Sequence, residues 1–569
     1  MLSDYLRDRT YSGQRGAAPA LAKMTVRPGG YGQAAGGAMA SKQRTTTGGG
    51  QHERMSAVDT AWLRMDSPGN AMMIVSVMAT ATPVRTADLR RVIETRLLCF
   101  PRFRKRVETD PLGASWVEDE NFDLDAHLVV TVLPGKGGPQ ELQGLAAGLA
   151  GQRFDPARPL WQLHFIEHYR TGSAWVLRLH HCYADGIAMV RVLLSLTEQD
   201  SGPGLAGVQG TGSRTGHGHA RNGAPDPLRL LDWVTQLAQP AGDIVESALA
   251  EGARLLEAGV HRLFHPETAA AVALQASGMI GELAKVVALP DDPASPLRAP
   301  LSGEKRVSWS EPLDLQEVKA VSRALGCTVN DVLMSTVAGA LGAYLRAEGF
   351  DTKGVALRAS VPVNLREAEE AMTLGNKFGL LFVELPVGVA NPLQRAYTMH
   401  DTMRALKGSQ QPSLTLTVLG LLGMMPNVVQ GPAIELFSRK GSLVASNVPG
   451  PQAPLYLCGQ RIAEMHFWVP QSGSIGVGVS VLSYAGKVFF GLIADRACIA
   501  EPSEVIDRLA PEFERLLLAA TVGMLGLEQR EPAAKPAGKA PKKVPARKRS
   551  PATGKPSRGK RAPKAAGNT

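Results

Sequence analysis

Between residues 160 and 197 the sequence prescribes a strand, a tight turn, a second strand, a short loop and an apolar helix. The loop is His180-His181-Cys182-Tyr183-Ala184-Asp185-Gly186. Strands are expected over 160–169 and 174–181, joined by Arg170-Thr171-Gly172-Ser173, with a helix over 187–197. Side chains alternate across a strand, so Trp175, Leu177 and Leu179 share one face and His181 continues it. Arg178 and His180 fall on the other. The apolar face turns inward, which places His181 in the interior where the strand stops. Desolvation there disfavours imidazolium and keeps the ring neutral. A neutral histidine with a pKa near the working pH is the usual general base. Asp185 is expected to accept a hydrogen bond or pair with an arginine and hold the loop. Gly186 is expected to supply a backbone conformation closed to other residues. A lone histidine at a strand end reads as structural, but the full pattern in this setting favours catalysis.

At 569 residues the chain exceeds one ordinary core, so two domains with extensions are expected. Residues 1–54 are glycine-rich, poor in apolar residues, and read as a disordered extension. Residues 55–200 alternate helix and strand, including a helix over 86–99 and another over 142–154. Residues 201–300 combine a low-complexity linker with a helical crossover. In 301–525, helices are expected over 315–325, 329–346 and 502–519, the second capped by Thr328. Strands are expected there over 355–363, 380–385, 442–448, 462–469, 476–482 and 487–494. The fold class is therefore α/β with mixed, α+β-like sheets. Residues 526–569 form a Lys/Pro/Ala-rich tail expected to be disordered.

The formal net charge of +10 belongs to that tail. Residues 531–569 hold twelve Lys/Arg and one acid; removing them from 62 and 52 leaves 50 bases against 51 acids. The body is near neutral and offers no electrostatic case for nucleic acid. The tail can bind anionic membrane or polyanions, without sequence-specific recognition. Five scattered cysteines with no C-x-x-C pair argue against a disulfide framework or structural zinc. No run of 18 apolar residues occurs, so membrane contact is expected to be peripheral; residues 414–426 come nearest and read as core. Gly473-x-x-Gly476-x-Gly478 lies within strand-like alternation with no helix after it, unlike a dinucleotide loop. His164 and His168 share a strand face, but no Cys or carboxylate cluster completes a metal site, and none is expected.

The His180–Gly186 loop resembles the HHxxxDG signature of the bacterial wax ester synthase/diacylglycerol acyltransferase family, part of the chloramphenicol acetyltransferase-like group. Other blocks agree in order: Ser56-Ala57-Val58-Asp59 with Trp62-Leu63 and Asn70, then Phe122-Asp123-Leu124-Asp125-Ala126-His127-Leu128 and Arg158-Pro159-Leu160-Trp161. Thr328-Val329-Asn330-Asp331-Val332 and Ser446-Asn447-Val448-Pro449-Gly450-Pro451 follow. The resemblance covers roughly residues 55–520 and implies two acetyltransferase-like halves with a tunnel between them. It implies that His181 is the general base, with His180 supporting, Asp185 structural and Gly186 in the loop. Asn330 and Asp331 are expected to bind substrate. Acyl-CoA and a hydrophobic alcohol or diacylglycerol would be the substrates, with no cofactor. A cytoplasmic enzyme on the inner membrane face or on lipid inclusions is expected. The competing readings are an acyltransferase for a polyketide, peptide or sugar hydroxyl, and a non-catalytic lipid-binding protein with a basic interaction tail.

Overall fold

The computed structural model describes residues 52–110, 113–198, 288–366, 374–409, 411–424 and 427–528. The glycine-rich N-terminal stretch to residue 51, the linker and most of the crossover within 201–300, and the basic tail from residue 529 lie outside the described residues. Both flanking boundaries move outward. Glu53 and Arg54 pair as a strand rather than ending a disordered extension, and the last helix runs through Glu528.

The N-terminal half supplies β1 (Glu53–Arg54), α1 (Ala57–Arg64), β2 (Met73–Thr80), α2 (Thr86–Val92), β3 (Lys105–Asp110), β4 (Gly113–Glu118), β5 (Leu128–Val130), α3 (Pro139–Ala150), β6 (Trp161–Tyr169), β7 (Gly172–His180) and α4 (Gly186–Leu196). The C-terminal half begins with β8 (Lys305–Trp309), β9 (Leu313–Asp314), α5 (Leu315–Leu325), α6 (Val329–Ala347), β10 (Leu357–Asn364) and β11 (Phe378–Leu385). It continues with α7 (Pro392–Leu406), α8 (Gln411–Met424), α9 (Asn427–Ser438), β12 (Leu443–Pro449), β13 (Tyr456–Leu457) and β14 (Gln460–Trp468). It closes with β15 (Val477–Tyr484), β16 (Lys487–Asp495), α10 (Ser503–Ile506) and α11 (Leu509–Glu528).

Two mixed sheets organise most of these elements, beside a small antiparallel sheet of order β1-β4-β3. One runs β13-β14-β2-β7-β6-β5, the other β11-β10-β12-β15-β16-β8 with β9 also on β16. The expected division near 201–300 separates stretches of chain but not sheets, because β14 pairs antiparallel with β2. The first sheet is therefore completed by the C-terminal half. Its β2–β7 pair obeys the alternation read from sequence. Ala174 and Val176 face α3, while Trp175 and Leu179 join the core on the opposite face. The β6–β7 turn is tighter than the four residues expected. Tyr169 pairs with Gly172, so Arg170 and Thr171 alone make the turn, Arg170 with φ +51°. Gly172 is required because a Cβ there would lie 2.0 Å from the Thr80 carbonyl oxygen.

The helix α6 starts as expected: Thr328 accepts from the Asp331 N–H while Asp331 accepts from the Thr328 N–H. In the apolar α8, Leu414, Leu416, Leu419 and Leu422 are buried, whereas Leu421 and Met424 are exposed. That helix packs on α1 so closely that a Cβ at Gly423 would sit 1.7 Å from the Ala57 carbonyl oxygen. Among the described residues no single helix is long and apolar enough to cross a membrane. The α5–α6 pair passes on composition, but it bends by 101° and fills the C-terminal core.

Candidate active site

The His180–Gly186 loop leaves β7 and is fastened on both sides. Cys182 and Tyr183 are fully buried. The Tyr183 hydroxyl accepts from the Leu160 N–H at 3.0 Å and its ring meets Trp116 at 4.8 Å. The loop backbone then pairs with the segment entering β11, through an Ala184–Gly375 bridge and an Asp185 N–H to Gly375 O bond of 3.2 Å. The site is thus built across both halves of the chain.

Asp185 caps α4, its Oδ1 accepting from the Ala188 N–H at 2.9 Å. Its Oδ2 accepts from Arg366 Nε and Nη2 at 3.1 and 2.9 Å and from the Lys377 N–H at 3.0 Å. Both members of the Arg366–Asp185 pair are buried. The carboxylate is saturated, which suits a group that holds the loop rather than one that moves protons. Gly186 departs from expectation. It opens α4 without a positive φ, and a Cβ there would meet nothing within 4 Å. No backbone constraint selects glycine; the residue lines a cavity instead. Gly186→Ala is expected to leave thermal stability unchanged or to raise it by up to about 1 kcal/mol, since alanine favours a helix. A melting temperature lowered by several degrees would contradict that.

His181 is 4% exposed. Its ring stacks on Trp62 at 4.3 Å and 22°, with Phe378 at 5.5 Å on another side. Its N–H donates to Met72 O at 2.8 Å, and its carbonyl accepts from Asn376 Nδ2 at 2.8 Å. Nδ1 is sealed and without a hydrogen-bond partner, which leaves Nε2 as the nitrogen a substrate could reach. Burial pushes the pKa down to about 4, against smaller upward pulls from Asp185, the ring's own backbone and Asn376. The ring is therefore neutral at pH 7, as expected, but less basic than a value near the working pH. His180 turns to the opposite side, its Nδ1 accepting from the Cys182 N–H at 3.2 Å, and burial likewise lowers it to about 4.

Two apolar cavities approach this loop and share no lining residue. The first, about 1010 Å³ with its open mouth counted, lies between the β2–β7 face, α2 and α4 and reaches Leu179 and Gly186. The second, about 570 Å³ on the same measure, lies beneath α8 and is walled by Trp62, the stacking partner of His181. The single tunnel that the family resemblance implies is not seen as one continuous space: these are two separate cavities, and His181 lies behind Trp62, in the wall of neither.

Asn330 and Asp331 make no hydrogen bond to the loop. Asn330 Oδ1 accepts from Asn447 Nδ2 at 2.7 Å, joining two motif blocks far apart in sequence. Asp331 is buried, with Oδ2 taken by the Thr328 N–H and by His400 Nδ1 at 2.8 Å. Substrate binding by Asp331 is not supported, because the helix cap and His400 already occupy it. Cys327, Asp331 and His400 do bring ligand atoms within 4.8 Å of one another, a grouping the sequence reading did not foresee. The capping box and the His400 bond account for Asp331 without an ion. His164 lies opposite Val176, so register keeps it away from His180 and His181 at the far end of β7. Sequence reasoning missed Arg366 and Asn376. Nothing in their local pattern connects either one to a loop almost two hundred positions earlier, where Arg366 meets Asp185 and Asn376 meets His181.

The sequence pattern of the wax ester synthase/diacylglycerol acyltransferase catalytic domain matches residues 55–333, and that of the WS/DGAT C-terminal domain matches residues 374–517. The chain belongs to the wax ester synthase/diacylglycerol acyltransferase family. It is an acyltransferase. A family relative named "Probable diacyglycerol O-acyltransferase tgs1", from Mycobacterium tuberculosis H37Rv, is 29% identical over 458 residues, covering 79% of this chain and 91% of its own. The solved wax ester synthase/diacylglycerol acyltransferase from Marinobacter aquaeolei VT8 has the same fold, with TM-score 0.57 and 20% identity over 82% of this chain and all of that one. The first condensation domain of the calcium-dependent antibiotic synthetase is a more distant fold relative, with TM-score 0.50 and 15% identity over 83% of this chain and 96% of its own.

Buried histidines in the loop and on the strands β6 and β14 are expected to make the enzyme acid-sensitive. Burial lowers His164, His180 and His181 to about 4 and His466 to about 3. Unfolded histidines protonate near pH about 6.5, so the unfolded chain takes up these protons first. Their stabilising effect is full above that pH and is lost as pH falls towards 4. Asp59 works the other way: burial raises it to about 6, so the folded chain binds that proton first. Burial also raises Asp292, Glu464 and Asp507 and lowers His127, but the histidine shifts are the larger, and the urea midpoint is expected to be lower at pH 4.5 than at pH 7. Equal midpoints would contradict the neutral buried rings.

Proposed function

We propose that this enzyme transfers a fatty acyl group from acyl-CoA to the hydroxyl of diacylglycerol, a long-chain alcohol, or both, with His181 as general base. The observation that carries this reading is a buried, neutral imidazole with one sealed nitrogen, on a loop whose flanking residues Leu179 and Gly186 line one apolar cavity and whose stacking partner Trp62 lines another. A hydrocarbon chain gains roughly 0.8 kcal/mol for each methylene it buries, which favours long-chain substrates in such spaces. In the proposed reaction Nε2 takes the alcohol proton as the oxygen attacks the thioester carbonyl carbon. The carbon–sulfur bond then breaks, and the imidazolium returns its proton to the departing CoA sulfur. Ester and thiol form in equal amounts, and no acyl-enzyme is required. Curated relatives named as diacylglycerol O-acyltransferases support the acceptor class.

The test is thiol release from palmitoyl-CoA with dioleoylglycerol or hexadecanol, with the ester quantified in parallel. One ester per thiol is expected with at least one acceptor. Lipid binding without ester formation from either would sink the proposal in favour of a binding protein. The same assay on a chain truncated after Gln529 separates the enzyme from its basic tail, which is expected to be dispensable for turnover.

A further inference from the structure

Asn376 links His181 to a buried carboxylate. Its Nδ2 donates to the His181 carbonyl at 2.8 Å and to Asp59 Oδ1 at 2.8 Å, and its backbone N–H donates to the same Oδ1 at 2.9 Å. Both acceptors lack protons to give, so the amide nitrogen must face them, and the amide orientation is fixed without ambiguity. That leaves Asn376 Oδ1 buried and unpaired, the same condition as His181 Nδ1. An unpaired acceptor and an unpaired ring nitrogen on two residues already joined through the His181 carbonyl are a costly arrangement at rest. The cost falls if the ring acquires a proton, because an imidazolium needs an acceptor at Nδ1. The Asn376 side chain does favour the protonated ring.

We propose that Asp59 and Asn376 are a positioning pair for His181: Asp59 holds the Asn376 amide, which clamps the His181 backbone and offers Oδ1 to Nδ1–H as Nε2 receives the substrate proton. Nδ1 then keeps its proton throughout, and Nε2 presents the lone pair. This inference rests on His181 being the base. The Asp59 carboxylate supplies negative charge behind the amide and stabilises the transient imidazolium. Asp59 is faced by Arg102 at 4.0 Å, which is itself paired with Glu53, and lies near the buried Cys182 thiol. The groups whose charge acts directly on His181 are Asp185 and the neighbouring His180, whereas Asp59 acts on it through Asn376. Asp59 sits well above the ordinary carboxylate range, at about 6, because burial outweighs its hydrogen bonds. Activity should therefore fall as pH drops through about 6, when Asp59 loses its charge while still accepting from Asn376.

The experiment compares the full-length enzyme with Asn376→Ala, Asp59→Ala, the double variant, Asp59→Asn and His181→Ala, using palmitoyl-CoA and dioleoylglycerol. Each alanine variant should lose about tenfold to hundredfold in kcat, the effect of a small misplacement of a reacting group, with KM changed less than about twofold. The double variant should match the worse single variant, since the two residues act as one unit. Asp59→Asn keeps the clamp without the charge. It should show a kcat that is flat from pH 5 to 7, at the level to which the native enzyme falls below pH 6. Independent, multiplicative losses, a loss confined to KM, or an unchanged acid limb in Asp59→Asn would overturn the proposal. If the alanine variants do not fold, the pH profile of Asp59→Asn decides alone. Full activity in His181→Ala would instead refute the base assignment.

Discussion

Replacing His181 with glutamine should abolish nearly all ester synthesis, lowering kcat by about 10²–10⁴-fold, the range typical for a general base. Glutamine roughly conserves the volume against Trp62 and Phe378, so the variant should remain folded. KM for the acyl donor should change little, because the cavities that would take the chains are lined by other residues. That split marks an interaction made in the transition state rather than in substrate binding. Ester formation at an undiminished rate by the folded variant would leave the proposed mechanism without its proton acceptor. His180→Gln, by contrast, should have a much smaller effect, since that ring faces away from the apolar face of β7 and bonds its own loop.

Asp185→Ala should destabilise the protein by about 3–5 kcal/mol, the cost of breaking a buried ion pair by removing one partner. Arg366 would lose its carboxylate, the Lys377 N–H would lose an acceptor, and α4 would lose its cap. Because these bonds join the loop to the segment before β11, the damage should reach the Ala184–Gly375 bridge and lower activity as well. Asp185→Asn should be milder, as it keeps the cap while discarding the charge. Urea unfolding of the three proteins measures this. A loss below about 1 kcal/mol in Asp185→Ala would show that the pair is not a structural anchor. Together with His181→Gln, the two variants separate chemistry from scaffolding: one is inactive at near-native stability, the other unstable.

Local pattern alone settled a good deal. Period-two alternation put Trp175, Leu177 and Leu179 on one face and aimed His181 inward, because strand geometry leaves a side chain only two directions. The bounds of α5 and the Thr328 cap of α6 were equally legible, since caps and apolar stripes depend on residues a few positions apart. The short sequence gap between His181 and Asp185 likewise pointed to a loop held by its own carboxylate. What sequence left open is everything that depends on distant partners. Arg366 and Asn376 reach the loop only because β14 joins the N-terminal sheet and the β11 lead-in lies against residues 184–185. Gly186 was misread because a glycine before a helix looks the same whether it serves φ or space. Asp331 was read as a ligand for substrate because its burial and its bond to His400 arise from the packing of α6 against α7. Direction along the chain is a local property; company in space is not, and only the tertiary fold assigned it.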